Sequence, residues 1–134
     1  MRNEHSTAAI VFHEEEYLLL KYEMGHWGLV KGNVERDESE KQTIIRELEE
    51  ETGIKDAEII DGFQESYEYY YRLEGNLIHK TVNCLLMESY QKKIELSYEH
   101  VDYEWLPYEK ALDRLTHKNT KQILTKAHKF LSEK

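Results

Sequence analysis

The chain has 134 residues, a length that suits one domain with a buried core and is short for two. Hydrophobic residues make up 40% and charged residues 34% of it, which excludes the low-hydrophobicity composition typical of intrinsic disorder. The formal net charge is -9, so a basic surface that holds long nucleic acids is not expected. A small phosphorylated ligand fits this charge only if a divalent cation or a few cationic side chains offset the repulsion.

No stretch of the sequence approaches the roughly 18 apolar residues needed to cross a membrane, and the first residues lack the pattern of a signal peptide. The single cysteine, Cys84, lies in an apolar run and has no partner for an internal disulfide. These features predict a cytoplasmic protein with no membrane partner. They leave its oligomeric state open.

The first part of the chain predicts short strands. Residues 7–12 and 17–22 are apolar and rich in β-forming side chains, and the polar residues between them predict a hairpin. Residues 27–30 form another short apolar segment, which leads into a polar loop at Gly32.

The clearest helix signal covers residues 40–52. Ser39 and Gln42 have the spacing of a capping box, and Gly53 follows the last turn as a stop signal. Three glutamates of this helix fall within an arc of roughly 100°, so their carboxylates project from one face. They are Glu47, Glu50 and Glu51. The pattern alone leaves two interpretations open, a solvated acidic face and a binding site for Mg²⁺ or Mn²⁺.

The second half of the chain predicts further strands and two more helices. Residues 57–73 and 77–90 read as a long β-hairpin, and residues 101–106 as a strand that ends at the only proline. Residues 108–115 and 119–131 read as helices, and the last of these carries a core-facing apolar stripe. The stripe consists of Ile123, Ala127, Phe130 and Leu131. A mixed sheet with helices packed on it, in the α/β or α+β class, accounts for this order.

Residues 32–54 read GNVERDESEKQTIIRELEEETGI and resemble a complete Nudix box. The motif is Gly, five residues, Glu, seven residues, Arg-Glu-Leu, one residue, Glu-Glu, one residue and Gly-Ile, and every specified position matches. The resemblance implies a single Nudix hydrolase domain over residues 1–134, with a three-layer α/β/α sandwich around a mixed sheet. It also implies Mg²⁺ as the cofactor, with Mn²⁺ as a substitute.

The same resemblance implies roles for individual box residues. Glu47 and Glu51 are expected as direct metal ligands, and Glu50 as a further ligand or a partner of the ligands. The backbone carbonyl of Lys31 is a candidate for an additional ligand. Arg46 is expected to orient the carboxylates, with Glu38 and Glu50 in reach, although a plain ion pair with Glu50, four residues on, explains that arginine equally well.

Beyond the box, most of the chain resembles the asymmetrically cleaving diadenosine tetraphosphate hydrolases. Three motifs carry this resemblance: HWGLVKGNV at residues 26–34, HKTV at residues 79–82 and LSYEHVDYEWL at residues 96–106. In that family the first two motifs supply a histidine and two lysines at the polyphosphate. The resemblance therefore implies that His26, Lys31 and Lys80 bind substrate.

Three further positions follow from the same resemblance. Glu99 lies where an acidic residue outside the box joins the metal site, which makes it a candidate ligand or general base. The phosphate-contacting tyrosine of the family corresponds to Tyr67, Tyr69 or Tyr71, with Tyr71 as the candidate. His117 lies where the family has the aromatic residue that stacks on adenine.

The predicted activity is hydrolysis of a phosphoanhydride bond by a metal-activated water, with a dinucleoside polyphosphate as the small-molecule substrate. From the tetraphosphate the products would be ATP and AMP. A (deoxy)nucleoside triphosphate pyrophosphohydrolase or an RNA 5′-end pyrophosphohydrolase is the alternative, and no other nucleic-acid partner is expected. A third hypothesis is a Nudix module that senses a nucleotide without turnover. Whether Glu47 or Glu99 is the general base, and how many metal ions bind, stays open.

Overall fold

The computed structural model describes residues 1–134 as one eight-stranded sheet with three helices. The strands are β1 Arg2–His13, β2 Glu16–Tyr22, β3 Trp27–Gly28, β4 Val30–Asn33, β5 Ala57–Ile59, β6 Glu65–Leu73, β7 Asn76–Ser89 and β8 His100–Pro107. The helices are α1 Glu40–Thr52, α2 Tyr108–Arg114 and α3 Lys118–Ser132. None of the helices is long and apolar enough to cross a membrane.

Strand β1 lies at the centre of the sheet and makes it a mixed one. Along one edge it pairs in parallel with β7, and along the other it pairs antiparallel with β2 and β4. Strand β8 pairs with β2, and β5 and β6 pair with β7. The predicted mixed sheet is therefore confirmed, and the box strand β4 lies beside the central strand.

Two hydrophobic cores cover the two faces of this sheet, because side chains alternate along each strand. Ala8 and Ile10 of β1 belong to the core beneath α2 and α3, whereas Ala9 and Val11 belong to the core beneath α1. The fold thus has helix, sheet and helix layers, as expected for the three-layer α/β/α sandwich.

Helix α1 has the bounds and caps that the sequence predicts. The Ser39 side chain accepts from the backbone of Gln42, whose own side chain accepts from the backbone of Ser39, and Gly53 ends the helix with φ of 76°. Ile44 and Leu48 are fully buried against the sheet. Because this apolar face is fixed, the acidic face of α1 is held at the edge of the sheet beside β4.

The predicted single strand over residues 57–73 is wrong, since it is interrupted between β5 and β6. Ile59 pairs with Met87 and Glu65 with Cys84, so six positions on one strand span three on the other. The extra residues form a loop that turns at Gly62, where φ is 96°. The loop lets β5 and β6 share one partner strand.

Candidate active site

A cleft of about 490 Å³ opens where β4 meets the acidic face of α1, and we refer to it as the carboxylate cleft. Its wall contains all of the predicted metal ligands, namely Lys31, Glu47, Glu50, Glu51 and Glu99. The first of these comes from β4, three come from α1 and the last comes from the loop before β8. The fold therefore brings together residues that are far apart in the sequence.

Glu51 lies deepest in this cleft. It is 4% exposed, and its Oε1 has no hydrogen-bond partner. Burial, followed by the neighbouring Glu47 carboxyl group, raises the pKa of Glu51 well above its usual range. A buried carboxylate of this kind is stabilised in its charged form by a bound cation.

Gly32 lies within β4, where it pairs with Thr7, so the predicted polar loop at this residue is wrong. It allows the strand to approach α1 closely. A β-carbon at this position would overlap the side chain of Glu47, so no larger residue fits without displacing that carboxylate. The cleft thus combines oxygen donors, a buried carboxyl group and a close backbone approach, a set that suits a hard divalent cation. No group of three or more acidic, histidine or cysteine side chains has the geometry of a preformed metal site.

Arg46 connects the carboxylates of the cleft to the loop before α1. Its Nε and Nη2 donate to the two oxygens of Glu38 at 2.7 and 3.0 Å. Its Nη1 donates to Glu47 at 2.9 Å and to Glu50 at 3.2 Å. The contacts with Glu38 and Glu50 are the predicted ones, and together with the contact with Glu47 they make this arginine more than an isolated ion pair.

The contact between Glu38 and Arg46 predicts a pH dependence of stability. The Arg46 guanidinium, followed by the Thr43 hydroxyl, lowers the pKa of Glu38 from 4.5 to about 2. Because the folded-state pKa is depressed, the stabilisation is complete above pH 4.5 and is lost as the pH falls toward 2. In urea titrations the difference in unfolding free energy between the wild type and Glu38→Gln should shrink over this interval. A difference that is constant with pH would contradict it.

A second cavity of about 540 Å³ adjoins the first, and we call it the aromatic cavity. It is lined by His26, Tyr67, Tyr69, His117 and the first turn of α3, and it shares Lys31 with the carboxylate cleft. The rings of His26 and His117 lie 5.2 Å apart. Polar rims around aromatic walls are typical of sites that bind a nucleobase.

Lys31 lies at the junction of the two cavities. Its Nζ is 3.5 Å from the Tyr69 hydroxyl and 5.8 Å from the centre of that ring. Burial lowers the pKa of Lys31 and also that of His26. A phosphate group between the cavities would meet a partly desolvated ammonium, which strengthens their attraction.

Two predicted substrate-binding residues lie outside both cavity walls. Lys80 is 7% exposed, and its Nζ lies 2.7 Å from Asn33 Oδ1 and 3.4 Å from Glu4 Oε1. The Tyr71 hydroxyl donates to the same Glu4 at 2.5 Å. Of the three alternating tyrosines, the structure places Tyr67 and Tyr69 in the aromatic cavity.

Comparison with known families decides the assignment. The family model described as the NUDIX domain matches residues 3–127. The chain belongs to the Nudix family. This Nudix hydrolase is 38% identical over 122 residues to the asymmetrical bis(5′-nucleosyl)-tetraphosphatases of Mus musculus and of Sus scrofa, covering 87% of the chain and 80% of each relative. Its fold superposes with a TM-score of 0.85 on a Caenorhabditis elegans Ap4A hydrolase in a binary complex, at 26% identity and with 98% and 99% of the two chains covered.

The family assignment fixes the reaction class and the kind of cofactor. This Nudix hydrolase acts on phosphoanhydride bonds, and Nudix enzymes generally use divalent metal ions. The carboxylate cleft provides oxygen donors suited to such an ion. The predictions of a Nudix fold and of an enzyme of this class are confirmed.

Two residues that were not predicted from the sequence lie beside the predicted site residues. The Tyr22 ring stacks on His26 with 4.5 Å between centroids, and its hydroxyl donates to the Leu29 carbonyl. His100, at the start of β8, lies behind Glu51 with its side chain 1% exposed. Tyr22 continues the apolar pattern of β2, and His100 lies beside Glu99 in the motif at residues 96–106, so neither had a signal of its own.

Proposed function

We propose that this Nudix hydrolase, acting as one domain, cleaves dinucleoside polyphosphates asymmetrically and converts diadenosine tetraphosphate to ATP and AMP. The main support for this proposal is that the carboxylate cleft and the aromatic cavity meet at Lys31. A polyphosphate can extend from one cavity into the other, with its base among aromatic side chains. The similarity to asymmetrical bis(5′-nucleosyl)-tetraphosphatases supports the same substrate.

In this proposal Glu47, Glu50, Glu51, Glu99 and the carbonyl of Lys31 hold Mg²⁺, which Mn²⁺ can replace. When bound, the cation supplies charge neutralisation for the phosphate oxygens and acidifies a water molecule. The chain itself supplies the proton acceptor, for which Glu47 and Glu99 remain the two candidates. Neither needs to form a covalent bond to the substrate.

The substrate contacts come from the residues around the junction. The Lys31 ammonium and His26 would contact the polyphosphate, while Arg46 keeps Glu47 and Glu50 in place. His117 and the cavity tyrosines would enclose the base. Tyr69 fits the predicted phosphate-contacting role better than Tyr71, because the Tyr71 hydroxyl is already engaged by Glu4.

A substrate panel tests this proposal. The protein would be incubated with dinucleoside polyphosphates, nucleoside triphosphates and triphosphorylated RNA, each with Mg²⁺, with Mn²⁺ and with EDTA. We expect the highest kcat/KM for the tetraphosphate and no turnover with EDTA. Preference for a nucleoside triphosphate or an RNA 5′ end would favour the alternative substrates, and no turnover of any compound would favour a sensing module.

Replacing Lys80 with alanine tests its predicted contribution to polyphosphate binding. We expect a larger loss of kcat/KM with diadenosine tetraphosphate than with ATP, because its chain has one more phosphate group and can extend further toward this ammonium. The substitution also leaves Glu4 without its lysine partner, so urea unfolding should be measured in parallel. Equal losses for both substrates would mean that Lys80 acts only through the structure of the site.

A further inference from the structure

Only two buried side-chain atoms in the protein lack a hydrogen-bond partner, and they are neighbours. They are Glu51 Oε1 and His100 Nε2, which lie 3.5 Å apart at the base of the carboxylate cleft. Buried polar atoms are nearly always satisfied in folded proteins, because an unmade hydrogen bond in the interior costs roughly 1 to 3 kcal/mol. The pairing of the two exceptions indicates a function for the pair.

His100 is held firmly in this position by the elements around it. It begins β8 and pairs there with Tyr22 of β2, whose ring meets the imidazole edge-on at 4.5 Å between centroids. Its Nδ1 lies 3.2 Å from the Ser97 hydroxyl. The backbone amide of Ser97 donates to the carbonyl of Glu51 at 3.1 Å, so the loop that carries the histidine is tied to the end of α1.

The Ser97 hydroxyl can donate to His100 Nδ1 or accept from it, so this contact allows the tautomer that carries its hydrogen on Nε2. A neutral histidine has one nitrogen that donates and one that accepts. If the Ser97 hydroxyl donates to Nδ1, the hydrogen of the ring is on Nε2, the nitrogen that faces Glu51. With this tautomer, hydrogen bonds can run from Ser97 through His100 to Glu51.

We propose that His100 is a positioning residue that donates from Nε2 to Glu51 and orients this carboxylate toward the divalent cation. This inference rests on the proposed function, because it takes Glu51 as a metal ligand. Donors behind a ligand fix its orientation, and their removal typically weakens metal binding about 10- to 100-fold. The carboxylate keeps its second oxygen for the cation.

Metal binding by two variants of the full chain separates this role from simple packing. His100→Leu removes the donor and fills its space with an apolar side chain. His100→Gln restores an N–H near the position of Nε2. Mn²⁺ affinity would be measured from the EPR signal of the free ion, and stability from urea unfolding. We expect His100→Leu to bind Mn²⁺ about 10- to 100-fold more weakly and His100→Gln to recover most of the affinity.

A packing role predicts a different result. If His100 only fills space, His100→Leu should change the urea midpoint and leave Mn²⁺ affinity as in the wild type, which would overturn the inference. Equal losses of Mn²⁺ affinity in the leucine and glutamine variants would also overturn it. If His100→Leu does not fold, the glutamine variant and a ¹⁵N NMR determination of the His100 tautomer decide, since an Nδ1–H tautomer contradicts donation to Glu51.

Glu51→Gln distinguishes this inference from the proposal beneath it. If Glu51→Gln loses Mn²⁺ binding while His100→Leu retains it, the positioning role fails and the proposed metal site stands. If Glu51→Gln binds Mn²⁺ as tightly as the wild type, Glu51 is not a ligand, and the metal assignment and the role of His100 fail together.

Discussion

Replacing Glu51 with glutamine is expected to lower the turnover of diadenosine tetraphosphate about 100-fold or more while leaving the fold intact. Glu51 is the most buried of the acidic residues in the carboxylate cleft. An amide of the same size cannot neutralise a cation as a carboxylate does. Because the carboxyl group carries a desolvation penalty when charged, its loss should not lower the free energy of unfolding.

Glu49→Gln is the matched control for this substitution. Glu49 lies on the same helix, is exposed and does not line the carboxylate cleft. Turnover by steady-state kinetics and stability by urea unfolding would be measured for both variants. Equal activities of the two variants would place the cation elsewhere, and a large loss of stability in Glu51→Gln would make its kinetics a consequence of unfolding.

Replacing Gly32 with alanine is expected to lower turnover about 10- to 100-fold through Glu47. The added β-carbon would occupy the space of the Glu47 side chain, which must then leave its position beside β4. The side chain is flexible, so the clash is relieved mainly by moving a predicted ligand, with a small loss of folding stability. Steady-state kinetics should show that a higher Mg²⁺ concentration is needed for half-maximal turnover, and that kcat is lower.

A double-mutant cycle identifies the route of this effect. If alanine at position 32 acts by displacing Glu47, it should cost little further activity in a Glu47→Gln background. Additive losses of kcat would mean that Gly32 contributes independently, for instance through the backbone of β4. The same cycle measured by urea unfolding separates strain in the fold from loss of the site.

Helix α1 and its acidic face were predictable because the signals are local. The capping box at Ser39 and the glycine at position 53 act on neighbouring backbone groups, and periodicity places Glu47 and Glu51 on one face. The interruption between β5 and β6 was not predictable in the same way. Asp61-Gly62 is a turn signal, but β-forming residues lie on both sides of it. Only the pairing of both β5 and β6 with β7 shows that the turn interrupts the strand.

The surroundings of the site depend on contacts between distant segments. The motif at residues 79–82 predicts that Lys80 binds substrate. In the structure its ammonium group instead contacts Glu4 on β1 and Asn33 on β4. His100 reaches Glu51 only because β8 pairs with β2 beside α1. A motif specifies which side chains are present, whereas sheet register determines which of them face a cavity.

The most direct test of the account is the identity of the products formed from diadenosine tetraphosphate with Mg²⁺. Asymmetric cleavage predicts ATP and AMP in equal amounts by ion-exchange chromatography, with formation abolished by EDTA and strongly reduced in Glu51→Gln. Formation of two ADP molecules, or turnover that persists unchanged in EDTA, would contradict the proposed reaction at the carboxylate cleft.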